Sequence, residues 1–134
     1  MAESVLLDTD VLIDYLRGLP AAVEFLEGLE DSLMISSMTV AELYAGVREG
    51  EERQVLDLFS RAFEIIPIDD EIARQGGLYR RDYQASHNTG LADGLIAATA
   101  ERKKAKFVTL NASHYPMLAN LKIPYRKQVP KRPR

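Results

Sequence analysis

A chain of 134 residues carrying 17 basic and 20 acidic side chains has room for one domain, and at this length it can fold without cross-links. It contains no cysteine, which excludes disulfides and thiolate metal sites. No basic segment leads into a long apolar run, so neither a signal peptide nor a membrane span is expected, and the expected compartment is the cytoplasm.

The first element predicted is a short buried strand at Val5–Leu7. Apolar residues Val11, Leu12, Tyr15 and Leu16 then predict a helix from Thr9 to Arg17, stopped by Gly18 and Pro20. A second helix is expected over Ala21–Leu29 and a strand over Leu33–Ile35. Ser36 and Ser37 are good N-caps for a third helix with the stripe Val40, Leu43, Tyr44, Val47. Glu51–Ala62 reads as helix and Glu64–Ile68 as strand. Asp69–Ala85 is a long helix with acids in its first turn, which suits the helix dipole. Leu91–Lys104 is another helix, Phe107–Leu110 another strand, and Ile123–Tyr125 a last short strand.

Strands alternating with helices predict an α/β fold with a mainly parallel sheet. In such sheets ligands bind beyond the carboxyl ends of the strands. Asp8 and Asn111 both fall just past a strand end. Residues 1–125 are read as one domain and 126–134 as a basic tail. That tail, "RKQVPKRPR", has five basic residues and no acid, whereas the preceding 125 residues have 12 basic against 20 acidic, a balance of −8. It reads first as a solvated terminus, because Pro130 and Pro133 oppose regular structure, and second as an electrostatic arm for nucleic acid.

Several carboxylates invite a functional reading. Asp8 follows "VLL" directly, where an N-cap role competes with a site role. Asp10 lies in a first helical turn, and Asp14 is expected to face solvent. Asp93 is the one charged residue in "TGLADGLIAATA", a helix so apolar that it should be buried. A buried carboxylate without a partner costs several kcal/mol, so such groups pair, bind metal or take up a proton. Glu42 lies opposite its helix's apolar stripe and reads alone as an ordinary surface glutamate, although its place after a strand brings it near the crevice. Carboxylates converging there would repel one another without a cation, and an oxygen-only site suits Mg²⁺ or Mn²⁺. His87 and His114 lack zinc-binding spacing, and no glycine-rich phosphate loop is present.

Two families open in this way. "VLLDTDVLID" resembles the first motif of haloacid-dehalogenase-type phosphatases, which implies Asp8 as nucleophile and Asp10 as acid/base. That resemblance covers ten residues. The family also needs an acidic pair at a late strand end, whereas Asp93 lies inside a helix. A longer resemblance is to PIN domains of the VapC toxin type. It rests on "LLDTDVLIDYLRG", "ISSMTVAELYAGV", "TGLADGLIAATA" and "FVTLNASHYPML", in order and in register from residue 5 to 118.

The PIN resemblance implies a three-layer α/β/α sandwich and a Mg²⁺- or Mn²⁺-dependent endoribonuclease acting on RNA. It implies a homodimer and a VapB-type antitoxin whose helix fills an apolar groove and whose basic side chain reaches the acidic pocket. Asp8, Glu42 and Asp93 fall on its acidic metal positions and Thr9 and Thr109 on hydroxyl positions, with Asp10 and Asn111 in support. The chain departs from the pattern at His114, where the family often has a further acid. Arg80, Arg81 and the basic cluster at 102–106 read first as surface charge and second as contacts to RNA phosphates. A non-catalytic RNA-binding module is the remaining alternative.

Overall fold

In the computed structural model, which describes residues 3–126, five strands form a single parallel sheet in the order β3-β2-β1-β4-β5. The strands are β1 (Ser4–Leu7), β2 (Ser32–Ser36), β3 (Glu64–Ile66), β4 (Lys106–Val108) and β5 (Leu121–Lys122). The helices are α1 (Thr9–Leu16), α2 (Pro20–Glu27), α3 (Ser37–Ala45), α4 (Glu51–Ser60), α5 (Asp70–His87) and α6 (Leu91–Arg102).

Side chains alternate across the strands and so build two cores. Leu6, Met34 and Phe107 point to the face covered by α5 and α6, where they meet Ile72, Tyr79 and Ile96. Val5, Leu7, Ile35 and Val108 point to the other face and meet residues of α1 to α4, among them Leu12, Leu26, Leu43 and Leu56. The expected α/β/α sandwich is therefore the fold, and all four strand pairings are parallel.

Three expected boundaries move for physical reasons. The last strand is Leu121–Lys122 rather than Ile123–Tyr125, because the carbonyls of Asn120 and Lys122 take the N–H groups of Phe107 and Thr109 at 2.9 and 3.1 Å. Pro124 has no N–H to offer a ladder. The long helix runs on to His87 and ends where Asn88 turns left-handed, with φ at 56°. Residues 67 and 68 lie outside β3, which stops before Pro67. Of the expected tail at 126–134, residues 127–134 lie outside the described residues. No described helix is long and apolar enough to cross a membrane.

Strands β2 and β3 lie on one side of β1, and β4 and β5 on the other. The crossovers thus diverge between β1 and β4, and a crevice opens at the carboxyl ends of those two strands.

Candidate metal-binding active site

The register of β1 on β4 assembles the first part of the site. Leu7 is opposite Val108, so the next residues, Asp8 and Thr109, emerge side by side. The Thr109 hydroxyl donates to Asp8 Oδ2 at 2.7 Å, and the Asp8 backbone N–H donates to the Val108 carbonyl at 2.9 Å. Asp8 also caps α1, its Oδ1 accepting the Thr9 N–H at 2.8 Å. Capping and site readings therefore describe the same side chain through its two oxygens.

Asp93 arrives from the other side, in the first turn of α6. Its Oδ2 accepts the Gly90 N–H at 2.9 Å, which satisfies a donor left over at the helix start. Its Oδ1 lies 3.0 Å from the hydroxyl of Tyr115, and that hydroxyl lies 3.0 Å from Asp8 Oδ2. Asp93 is half-buried, while the rest of the helix from Ile96 to Ala100 is fully buried.

Glu42 stands one step behind. Its Oε1 accepts the Thr9 hydroxyl at 2.7 Å, and Thr9 in turn sits beside Thr39 at 3.0 Å. The expected convergence of three carboxylates is thus two that share Tyr115 and a third that reaches the site through Thr9. Among the described residues no three His, Asp or Glu side chains close around one point.

Asp10 stands beside this crevice, its Oδ2 3.5 Å from the Thr109 hydroxyl that serves Asp8. Its Oδ2 accepts from the Leu110 N–H and the Asn111 side-chain amide, each at 3.0 Å, and clips the loop after β4 onto α1. Asn111 therefore serves that clip. His114 Nδ1 lies 3.4 Å from Asp93 Oδ2, so this side chain does face the acids. Asp14, expected on the solvent side, is buried, and Tyr125 donates to its carboxylate at 2.9 Å.

The basic residues separate into two groups. Arg80 lies where α5 crosses the start of α6, since its backbone N is next to Gly94. The cluster at 102–106 is at the other end of α6, roughly 15 Å along the helix axis from Asp93. There Arg102 pairs with Glu71 and Asp69, and Lys106 with Glu3. Those charges gather toward the amino ends of β1 and β4, remote from the crevice.

The sequence reading missed Tyr115 and Thr89. Tyr115 is 2% exposed and packs edge-on against Phe107 at 4.7 Å, so as a sequence letter it reads as core. Thr89 is buried and donates to the His114 carbonyl at 2.6 Å, which ties the α5–α6 junction to the turn that presents Tyr115. The one signal for it is its position immediately before Gly90 and the Asp93 helix.

Burial, reinforced by the nearby charge of Asp10, pushes the Asp8 carboxyl up to about 7. Burial also raises the Tyr115 phenol, and the charges of Asp8 and Asp93 raise it further, so it stays a proton donor. A pocket that resists its own negative charge is suited to a cation. Mg²⁺ and Mn²⁺ ask for oxygen donors, and Mg²⁺ keeps several waters while binding one or two carboxylates. Asp8 and Asp93 meet that demand, whereas the donor set does not fit zinc held wholly by protein side chains.

A parallel sheet with two carboxylates meeting on one hydroxyl at its topological switch point defines an α/β protein with an acidic crevice. The chain belongs to the PIN-domain family, whose model matches residues 5–116. It is 43% identical over 124 residues to Ribonuclease VapC10 of Mycobacterium tuberculosis, covering 90% of this chain and 92% of that relative. It is 40% identical over 125 residues to Ribonuclease VapC19 of the same organism, covering 90% and 98%. Among solved structures it resembles a toxin–antitoxin complex from Klebsiella pneumoniae, with a TM-score of 0.80, 27% identity, and 92% and 99% coverage. This membership removes the phosphatase reading, and Asp10, which that reading needs as an acid/base, is engaged by the Leu110 N–H and the Asn111 amide.

Proposed function

We infer that this protein is a metal-dependent endoribonuclease and the toxin of a toxin–antitoxin pair. The observation that carries the reading is the meeting of Asp8 and Asp93 on one hydroxyl at the switch point of the sheet. The similarity to VapC ribonucleases over most of the chain supports RNA as the substrate. RNA as substrate in turn supports a cytoplasmic place of action.

Asp8 and Asp93 would hold Mg²⁺ or Mn²⁺. When bound, the ion supplies charge to polarise the scissile phosphate and to make water a better nucleophile at neutral pH. Thr109 and the Thr9 N–H fix the Asp8 carboxylate, and Gly90 fixes that of Asp93, so both are oriented before substrate arrives. Glu42, steadied by Thr9, is the carboxylate assigned to take the proton from the attacking water. Attack in line with the 3′ oxygen leaves a 5′-phosphate and a 3′-hydroxyl. Arg80 and Arg81 are on the α5 half beside the Asp93 helix start and are assigned to the RNA backbone.

An antitoxin partner follows from the same kinship and from a groove of about 950 Å³. Ile13, Leu16, Leu43, Val47 and Val55 line it, with several glutamates at its rim, and Glu42 is one of them. An amphipathic helix with basic flanks fits that lining, and a basic side chain at its end would reach Glu42. The homodimer rests on the family alone.

Sequencing the ends of total cellular RNA after brief expression tests the activity and identifies the cut. Specific 5′-phosphate ends that are absent in an Asp93→Asn variant support the reading. Identical end profiles in the two proteins would leave only the non-catalytic RNA-binding module.

A further inference from the structure

Tyr115 does more than fill the core. Its ring is buried against Phe107, a job that a phenylalanine would do without bringing a polar group inside. Its hydroxyl is aimed at the acids and lies 3.0 Å from Asp8 Oδ2 and 3.0 Å from Asp93 Oδ1. A phenol has one proton, so the two carboxylates share it. Two oxygens that share that neighbour can stand at most about 6 Å apart. The opposite oxygens are anchored independently, Asp8 Oδ1 by the Thr9 N–H and Asp93 Oδ2 by the Gly90 N–H. Among the described residues Tyr115 is the one side chain that hydrogen-bonds both acids.

Its position is secured from outside the site. The Tyr115 N–H donates to the Ala112 carbonyl at 3.0 Å, and Thr89 holds the preceding carbonyl of His114. A three-residue turn at Ala112–His114 thus delivers the hydroxyl to the gap between β1 and α6.

We propose that Tyr115 is a positioning residue that braces the Asp8 and Asp93 carboxylates at the separation a divalent cation needs, in place of a further carboxylate from position 114. The proposal rests on the metal-dependent reading of the same site. It assigns the hydroxyl an outer role: the carboxylates hold the ion and Tyr115 holds the carboxylates. Hydrogen-bond partners of this kind contribute to metal affinity by limiting the orientations a ligand can adopt.

The test is Tyr115→Phe, which keeps the ring and removes one oxygen. Mn²⁺ is titrated calorimetrically into the wild type, Tyr115→Phe, Asp93→Asn and the double variant, with melting curves in chelator for each. The expected result is a Kd for Mn²⁺ raised about 10-fold or more in Tyr115→Phe, in the range seen for ligand-orienting partners. RNA cleavage should be largely restored by excess Mn²⁺. In the Asp93→Asn background the same change should add little, because the brace has lost one of its two acids. A residue with only a packing role would shift the melting temperature and leave the Kd alone. An unchanged or tighter Kd in Tyr115→Phe overturns the inference while leaving the nuclease reading intact. A wild type that binds no Mn²⁺ overturns both.

Discussion

Asp10 and Asn111 are 101 positions apart in the chain, yet the Asn111 amide donates to Asp10 Oδ2 at 3.0 Å, and the neighbouring Leu110 N–H donates to the same oxygen. This clip fastens the loop after β4 to the first turn of α1. The first and fourth strands meet at the crevice, and the clip keeps their exits together. Asp10→Ala should therefore cost about 1.5–3 kcal/mol, the range for hydrogen bonds to a charged group. Amide exchange should locate the loss, with Leu110 losing protection first. Unaltered exchange at Leu110 would show that the loop holds without the clip.

Asp8→Asn and Asp93→Asn should each lower RNA cleavage at least about 100-fold, at or beyond the upper end of the cost of losing a supporting group around a metal. Both variants should remain folded, since the amide oxygen can still accept the backbone N–H of Thr9 or Gly90, and in Asp8→Asn the amide nitrogen can donate to the Thr109 hydroxyl oxygen. Circular dichroism and a cleavage assay with Mn²⁺ on one preparation check this. Full activity in either variant removes that residue from the site.

The raised Asp8 carboxyl makes metal-free stability depend on pH. An ordinary aspartate titrates near 3.9, and folding moves this one up to about 7. Between those values the folded protein binds a proton that the unfolded chain has released. The contribution of this group to stability is thus greatest below the lower value and is lost as pH rises through the upper one. In chelator the melting temperature should drop by several degrees from pH 5.5 to pH 8. Asp8→Asn should flatten that slope, and Mn²⁺ should restore stability at pH 8 by replacing the proton.

His114 faces Asp93, so the missing acid at this position has a chemical consequence. Mg²⁺ prefers carboxylate and water, whereas imidazole suits softer ions, so Mn²⁺ should support activity better than Mg²⁺ at equal concentration. His114→Asp should tighten Mg²⁺ binding, narrow that difference, and lower metal-free stability at pH 8 through added like charge. Calorimetry with both ions in both proteins measures each effect. Equal Mg²⁺ affinity would place residue 114 outside the ion's reach.

Helices α5 and α6 cross at Gly76 and Gly94. A Cβ on Gly94 would sit 2.3 Å from the Gly76 carbonyl oxygen, which is backbone and cannot swing aside. Alanine gains about 1 kcal/mol of helix propensity, yet forced overpacking costs about 1–3 kcal/mol or more, and here the obstacle is rigid. Gly94→Ala should therefore destabilise the protein, and because Asp93 adjoins the crossing, it should weaken Mn²⁺ binding too. Urea unfolding that shows no loss would mean the helices separate freely.

The architecture was legible because its signals are local. The apolar run at Val5–Leu7, the Ser36 cap and the apolar Leu91–Ala100 stretch each specify an element from a few neighbouring letters. Asp93 was legible because it stands alone in that stretch. Asp14 was misjudged because its burial depends on Tyr125, 111 positions away, which a helical wheel does not show. Tyr115 was missed for a related reason. An aromatic residue looks like core, and its hydroxyl acquires meaning only when β1 and α6 bring two acids to it. The 102–106 cluster was uninformative for the opposite reason: charge is visible in sequence, but the end of the helix that carries it is fixed by topology.

The sheet order has a consequence for the newborn chain. Asp8 is made early, but Thr109 and Tyr115, the side chains that fix it across β4, are made 101 and 107 residues later. During synthesis β1 can pair only with β2, and its other edge stays open until residue 108 has left the ribosome. The site therefore cannot form on a partly made chain. A nuclease built this way stays without its site until β4 and the turn at Ala112–His114 have followed β1 out of the ribosome, so any partner that must restrain it has until that moment to be present.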